Sequence, residues 1–229
     1  MIAKLQDWLD ERTGWKYIWE TVFLRTVPKV NWFYTLGSAT LFVGLIQGIT
    51  GILLTLYYVP TPDSAYDSVN YIITELPGGW FIQGLHHWGA SAMLVLTVLH
   101  MLRVIFYGAY KYPREMTWFS GIFLFLFAVL FSFTGYLLPW DQKAYWATTV
   151  GTKIAGTPPL IGDWIMRVAR GGEELSQLTL VRFFGVHVWV LPLVGVAFVG
   201  FHILMVIKHG ISAVPSRDEK EDVDEVSWR

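Results

Sequence analysis

Two pairs of histidines stand inside long apolar stretches, His86 with His100 and His187 with His202. An imidazole at membrane depth is costly unless something claims it. Each residue of an α-helix advances about 1.5 Å and 100°. The fourteen-residue step from His86 to His100 therefore returns to within roughly 40° of the same face, roughly 21 Å further along. If the two helices run parallel, His86 comes level with His187 and His100 with His202, at offsets of 101 and 102 residues. Two such levels of facing imidazoles are the ligand pattern of two buried haems.

Glycines repeat the same interval. Gly37 and Gly51 are fourteen residues apart, as are Gly121 and Gly135, and the two pairs share an offset of 84. Alternate spans run in opposite directions, so Gly51 and Gly135 fall level with His86 and His187, and Gly37 and Gly121 with His100 and His202. A flat macrocycle held between the second and fourth spans needs its edges to approach the first and third closely, which residues without a side chain permit. Gly44 and Gly48 read as ordinary packing glycines. His87, a full 100° around the helix from His86, and His209 read as bystanders. Arg103, one turn beyond His100, and Arg182, five residues before His187, are placed to neutralise haem propionates where water is scarce; the plainer role for each is a snorkelling end-anchor. Pro192 should kink its helix between the two ligands.

The elements that must carry these residues follow from composition. Of 229 residues 54% are hydrophobic and only 15% charged, well below the quarter usual in soluble domains. Four stretches lack any Asp, Glu, Lys or Arg, and each exceeds the roughly 20 residues needed to cross a bilayer. Lipid cannot satisfy free backbone groups, so continuous apolar runs predict helices. The fold class expected is all-α: a transmembrane four-helix bundle binding two b haems, with spans near 32–58, 80–107, 116–138 and 180–209. Ile2, Leu5, Trp8 and Leu9 recur at helical spacing beside Lys4, Asp7 and Arg12, which predicts an amphipathic helix on the membrane surface. The division is thus a surface helix over 1–30, the bundle over 31–211, and a polar, mobile tail over 212–229. The segment 160–168 in the long third loop could form a short interfacial helix.

Asp7, Asp10 and Glu11 occupy the place where a cleavable signal peptide would need its apolar core. Basic residues gather before the first span and between the second and third, while the loop between the first and second carries Asp63 and Asp67 and no basic residue. This bias puts both termini on the cytoplasmic side. A net charge of -1 gives no sign of nucleic acid as a partner. The chain has no cysteine, which excludes disulfides, a thiolate-held iron-sulfur cluster and thioether-attached haem on this chain. Non-covalent haem held by histidine remains.

At this point the chain resembles the cytochrome b family of quinol-oxidising complexes, in the short split form of the b6f type. The carriers are HHWGAS at 86–91, HMLR at 100–103, KYPREMTW at 111–118, TGYLLPWDQ at 134–142, TLVRFFGVH at 179–187 and KHGIS at 208–212, together with the fifteen-residue step from His187 to His202. The resemblance implies a low-potential haem b on the outer side held by His86 and His187, and a high-potential haem b on the inner side held by His100 and His202. It implies quinol as substrate, with an oxidation pocket near Gly135, Tyr136, Pro139, Trp140 and Asp141. One electron would pass to a Rieske iron-sulfur protein and then a c-type cytochrome, the other through both haems to a quinone at the inner side, with proton translocation. Other implied partners are a separate subunit carrying the remaining cytochrome b helices and the PEWY motif, and a second copy in a homodimeric complex in a bacterial cell membrane.

Three departures qualify this. Thr35 stands in FYTLG where the split family often has a cysteine that fixes an extra haem, so that attachment is ruled out. Gln83 stands where a basic residue is common three positions before the first histidine. PEWY is absent, as expected if later helices belong to another chain. Two rival readings share these features: the haem subunit of a hydrogenase or formate dehydrogenase, and a non-redox transporter whose histidines relay protons.

Overall fold

The computed structural model describes residues 2–22, 24 and 31–212. The polar tail beyond 212, and Arg25 and Lys29 among the basic residues that precede the first span, lie outside the described residues. Every regular element described is helical. Near the N-terminus α1 (Ile2–Thr13) and α2 (Trp15–Val22) follow one another, with Leu5, Trp8 and Leu9 of α1 exposed.

The first span opens on a 3₁₀ turn, Trp32–Thr35, and continues as α3, Leu36–Thr55. The turn starts where the Asn31 side chain accepts the Phe33 N–H, satisfying one orphan donor. The second and third spans are α5, Gly79–Phe106, and α6, Glu115–Tyr136. The fourth runs unbroken for 33 residues from Gln177 to His209. It comprises α9 (Gln177–Gly185), a π turn (Val186–Val190) and α10 (Leu191–His209). These four helices are long and apolar enough to cross a membrane.

The spans pack as two pairs, α3 on α5 and α6 on α10. Little of any span is enclosed by the protein itself; Phe42, Ile52, Val95, Leu193 and Val196 are among the side chains left outward. Such an apolar exterior suits lipid and would aggregate in water. The close-packed core sits at one end, where Ala65, Leu137, Leu180 and Phe183 are buried together.

That end is built from three short helices between the spans: α4 (Ala65–Thr74), α7 (Gln142–Ala155) and α8 (Gly162–Arg170). A short helix does form where one was expected over 160–168, as α8, and the loop around it is largely helical as well. Sequence periodicity passed over α4, whose buried face is only Ala65, Ser68 and Ile72. Buried Arg170 holds the assembly together. Its guanidinium donates to the Thr152 hydroxyl at 2.8 Å and to the Thr149 and Glu173 carbonyls at 2.9 and 2.7 Å. Its own carbonyl accepts the Thr179 hydroxyl at 2.5 Å. One residue thereby joins α7, α8 and α9.

Pro192 changes the fourth span as a disturbance of turn type. Proline offers no N–H and its ring crowds the carbonyl four residues back. The helix widens just ahead of it: the Leu191 N–H bonds the Val186 carbonyl, five residues away.

Candidate haem-binding site

His86 on α5 and His187 in the π turn face one another with ring centroids 6.3 Å apart and planes at 79°. The other pair lies further along the same helices, where His202 and Arg103 are the charged or chargeable neighbours of His100. All four rings are half-buried. His87 is exposed and meets Trp88 edge-on.

The π turn explains how two helices with unequal histidine spacing present matched levels. Fifteen α-helical steps from His187 would overshoot the face by roughly 60°, whereas fourteen fall short by roughly 40°, as α5 does from His86 to His100. A π turn is in effect one residue inserted into an α-helix. It absorbs the extra residue, so that His202 returns to the face His187 uses.

Each imidazole abuts a glycine. A Cβ placed on Gly135 would come 2.6 Å from His187 Cε1, on Gly37 3.0 Å from His100 Cε1, on Gly51 3.2 Å from His86 Cε1, and on Gly121 3.4 Å from His202 Cε1. The glycines thus have a nearer neighbour than the macrocycle edge that spacing suggested. They admit the imidazole ring itself.

Three hydroxyls that sequence reasoning missed complete the arrangement. The Nδ1 atoms of His86, His202 and His187 lie 2.9, 2.9 and 3.0 Å from the hydroxyls of Thr50, Ser120 and Thr134. Each immediately precedes one of the spaced glycines, and that adjacency was the available signal. Each hydroxyl also donates back to its own helix, Thr50 to Ile46 O at 2.6 Å, Ser120 to Thr117 O at 2.9 Å and Thr134 to Leu130 O at 2.8 Å. Its one proton being spent there, the oxygen accepts from Nδ1–H. The lone pair is then left on Nε2, the atom free to bind a metal.

The geometry of His86 and His187 fits a haem. An imidazole nitrogen bonds a first-row metal at about 2.0 Å and lies about 1.2 Å from its own ring centre, so two trans imidazoles stand about 6.4 Å apart. Arg103 supplies a second test. It is buried, its Nε and one terminal nitrogen lack a partner among the described residues, and its guanidinium lies 3.6 Å from the Tyr34 ring centroid. A buried cation with idle donors suits an anionic group such as a propionate. Arg182 is differently placed, exposed and donating to the Val168 carbonyl.

The segment 134–142 links this site to the chain surface. Thr134 and Gly135 touch His187, and Leu137 is fully buried in the end core. Half-buried Tyr58, whose phenol burial pushes up from its ordinary value, donates to Leu138 O at 2.7 Å. Trp140 adopts a φ of 53°, rare for a bulky residue and the kind of strain held at functional sites. Asp141 caps α7, accepting the Ala144 N–H at 2.7 Å. Trp140 and Asp141 border an open cleft with Tyr66, Gln142 and Lys143. Tyr136 is exposed nearby, while Pro139 leads into the Trp140 turn.

Paired imidazoles on two of four membrane-length helices define the class: a multi-pass membrane protein built around two histidine levels. The sequence profile described as Cytochrome b/b6/petB matches residues 22–210. A cytochrome b6 from Synechococcus sp. is 42% identical over 212 residues, covering 92% of this chain and 99% of that one. Another, from Gloeobacter violaceus, is 43% identical with the same coverage. The solved structure titled Hyperthermophilic respiratory Complex III superposes with a TM-score of 0.81 at 36% identity, covering 90% of this chain. The chain spans 55% of that structure's chain. This chain belongs to the cytochrome b/b6 family, as a cytochrome b subunit of the bc/b6f type of quinol oxidoreductase.

Proposed function

We propose that His86 and His187 hold the outer of two haem b groups and His100 and His202 the inner, as the low- and high-potential centres of a quinol oxidoreductase. The observation that carries this is the 6.3 Å separation of the His86 and His187 rings, on a pair of helices whose π turn equalises the levels. A bound haem iron exchanges one electron at a time. The chain's residues do the rest. The glycines admit the rings, Thr50, Ser120 and Thr134 fix their tautomer, and Arg103 offsets a propionate at the inner boundary. Arg182 would reach the outer propionates only by leaving Val168.

Quinol binds near Gly135, Tyr136, Pro139, Trp140 and Asp141, in a pocket finished by a separate subunit that carries PEWY. The single stretch from Thr134 to Asp141 spans from the outer imidazole to the open cleft, which supports oxidation beside that haem. A Rieske protein takes one electron on its way to a c-type cytochrome, and the inner side returns the other to quinone, moving protons across the membrane. The complex is homodimeric in a bacterial cell membrane, with both termini cytoplasmic and α1 and α2 lying along the surface.

Purification with partner subunits tests this. Reduced-minus-oxidised spectra should show two b-type components of unequal midpoint, reduced by added quinol, with a Rieske protein co-purifying. Absence of haem absorption would overturn it.

A further inference from the structure

The hydroxyl partners are unevenly shared. At the level of His86 and His187 both rings have one, Thr50 and Thr134. At the other level Ser120 serves His202, and the position equivalent to Thr50, fourteen residues back beside Gly37, is Leu36. Gly37 packs against His100 at a distance, 3.0 Å to a Cβ, within the span of the other three glycine contacts, so the site is present without the hydroxyl.

An acceptor on Nδ1–H makes the imidazole a stronger donor through Nε2. A stronger donor favours Fe(III) over Fe(II) and lowers the reduction potential. Resting on the ligand assignment above, we propose that Thr50, Thr134 and Ser120 are positioning residues that tune potential. Two supported imidazoles hold the outer haem low, and the single one at the inner level, with Leu36 in place of a hydroxyl, holds that haem higher. The downhill step from outer to inner haem is then written partly in which glycine follows a hydroxyl residue.

Potentiometric titration of the purified complex tests this with four variants. Thr50→Val should raise the outer midpoint by about 59 mV, the equivalent of about a tenfold change for one electron, and leave the inner unchanged. Thr50→Ser, which keeps the hydroxyl, should restore the original value. Leu36→Ser should lower the inner midpoint and leave the outer unchanged, narrowing the gap without removing any group. Both midpoints unmoved in Thr50→Val and Leu36→Ser, with haem content intact, would overturn the tuning. His86→Ala separates this from the ligand assignment: retention of the outer haem there would sink the assignment, whereas its loss leaves the tuning to be decided by the midpoints.

Discussion

Gly135 and His187 stand in the tightest of the four glycine–imidazole contacts: a Cβ on Gly135 would lie 2.6 Å from His187 Cε1, inside the reach of any real side-chain carbon. The third span can therefore sit against the outer histidine only because that position has no side chain.

The four contacts make a graded prediction. Alanine at Gly135, Gly37, Gly51 and Gly121 meets its ring at 2.6, 3.0, 3.2 and 3.4 Å respectively, so damage should fall in that order. Gly135→Ala should cost about 2 kcal/mol as overpacking and displace the His187 ring, while Gly121→Ala should be close to neutral. Haem content per protein, with thermal unfolding of each variant, checks the order. Equal effects at Gly135 and Gly121 would contradict it.

The π turn gives a second prediction. Deleting Val190 together with Pro192→Ala should return the fourth span to a plain α-helix with fourteen steps between its histidines, as in α5. Both haem signals should survive. One alanine inserted after Val95 in α5, where no π turn absorbs it, should rotate His100 by about 100° relative to His86 and lose one signal. Difference spectra read both outcomes; loss of a haem in the deletion variant would show that the π turn does not set the level.

Arg170 tests how the outer end is held. It makes three hydrogen bonds while buried, and bonds from a charged donor are each worth about 1.5–3 kcal/mol. Arg170→Leu should therefore destabilise the α7–α8–α9 assembly by several kcal/mol, read as faster proteolysis within 142–176. Arg170→Lys should recover only part, since an ammonium cannot reproduce the fork. The spectrum of the inner haem, at the far end, should stay unchanged in both.

Much of this was legible in the residues. The spans were, because a bilayer imposes one long apolar length on each helix. The histidine and glycine intervals were legible too, because helix geometry turns a count into a direction, and the structure sets each histidine against its level-mate's glycine as that count implies. The hydroxyls were harder. Thr50 reads as a common small residue of a membrane helix until its neighbour across the bundle is known. Pro192 and the fifteen-residue interval each hinted at irregularity, and only together do they describe a π turn. The direction of the Arg182 side chain was not legible, because proximity in sequence to His187 says nothing of where a long side chain turns; here it reaches back to α8. The short helices α4 and α7 escaped because their apolar faces are brief and their burial depends on the ends of the spans.

The central claim is that the four imidazoles act as two pairs, and haem analysis of His86→Ala and His202→Ala measures it most directly. The account predicts that each variant loses half the haem, with the low-potential component gone in the first and the high-potential component gone in the second. Loss of the same component in both variants, or no loss in either, would contradict it.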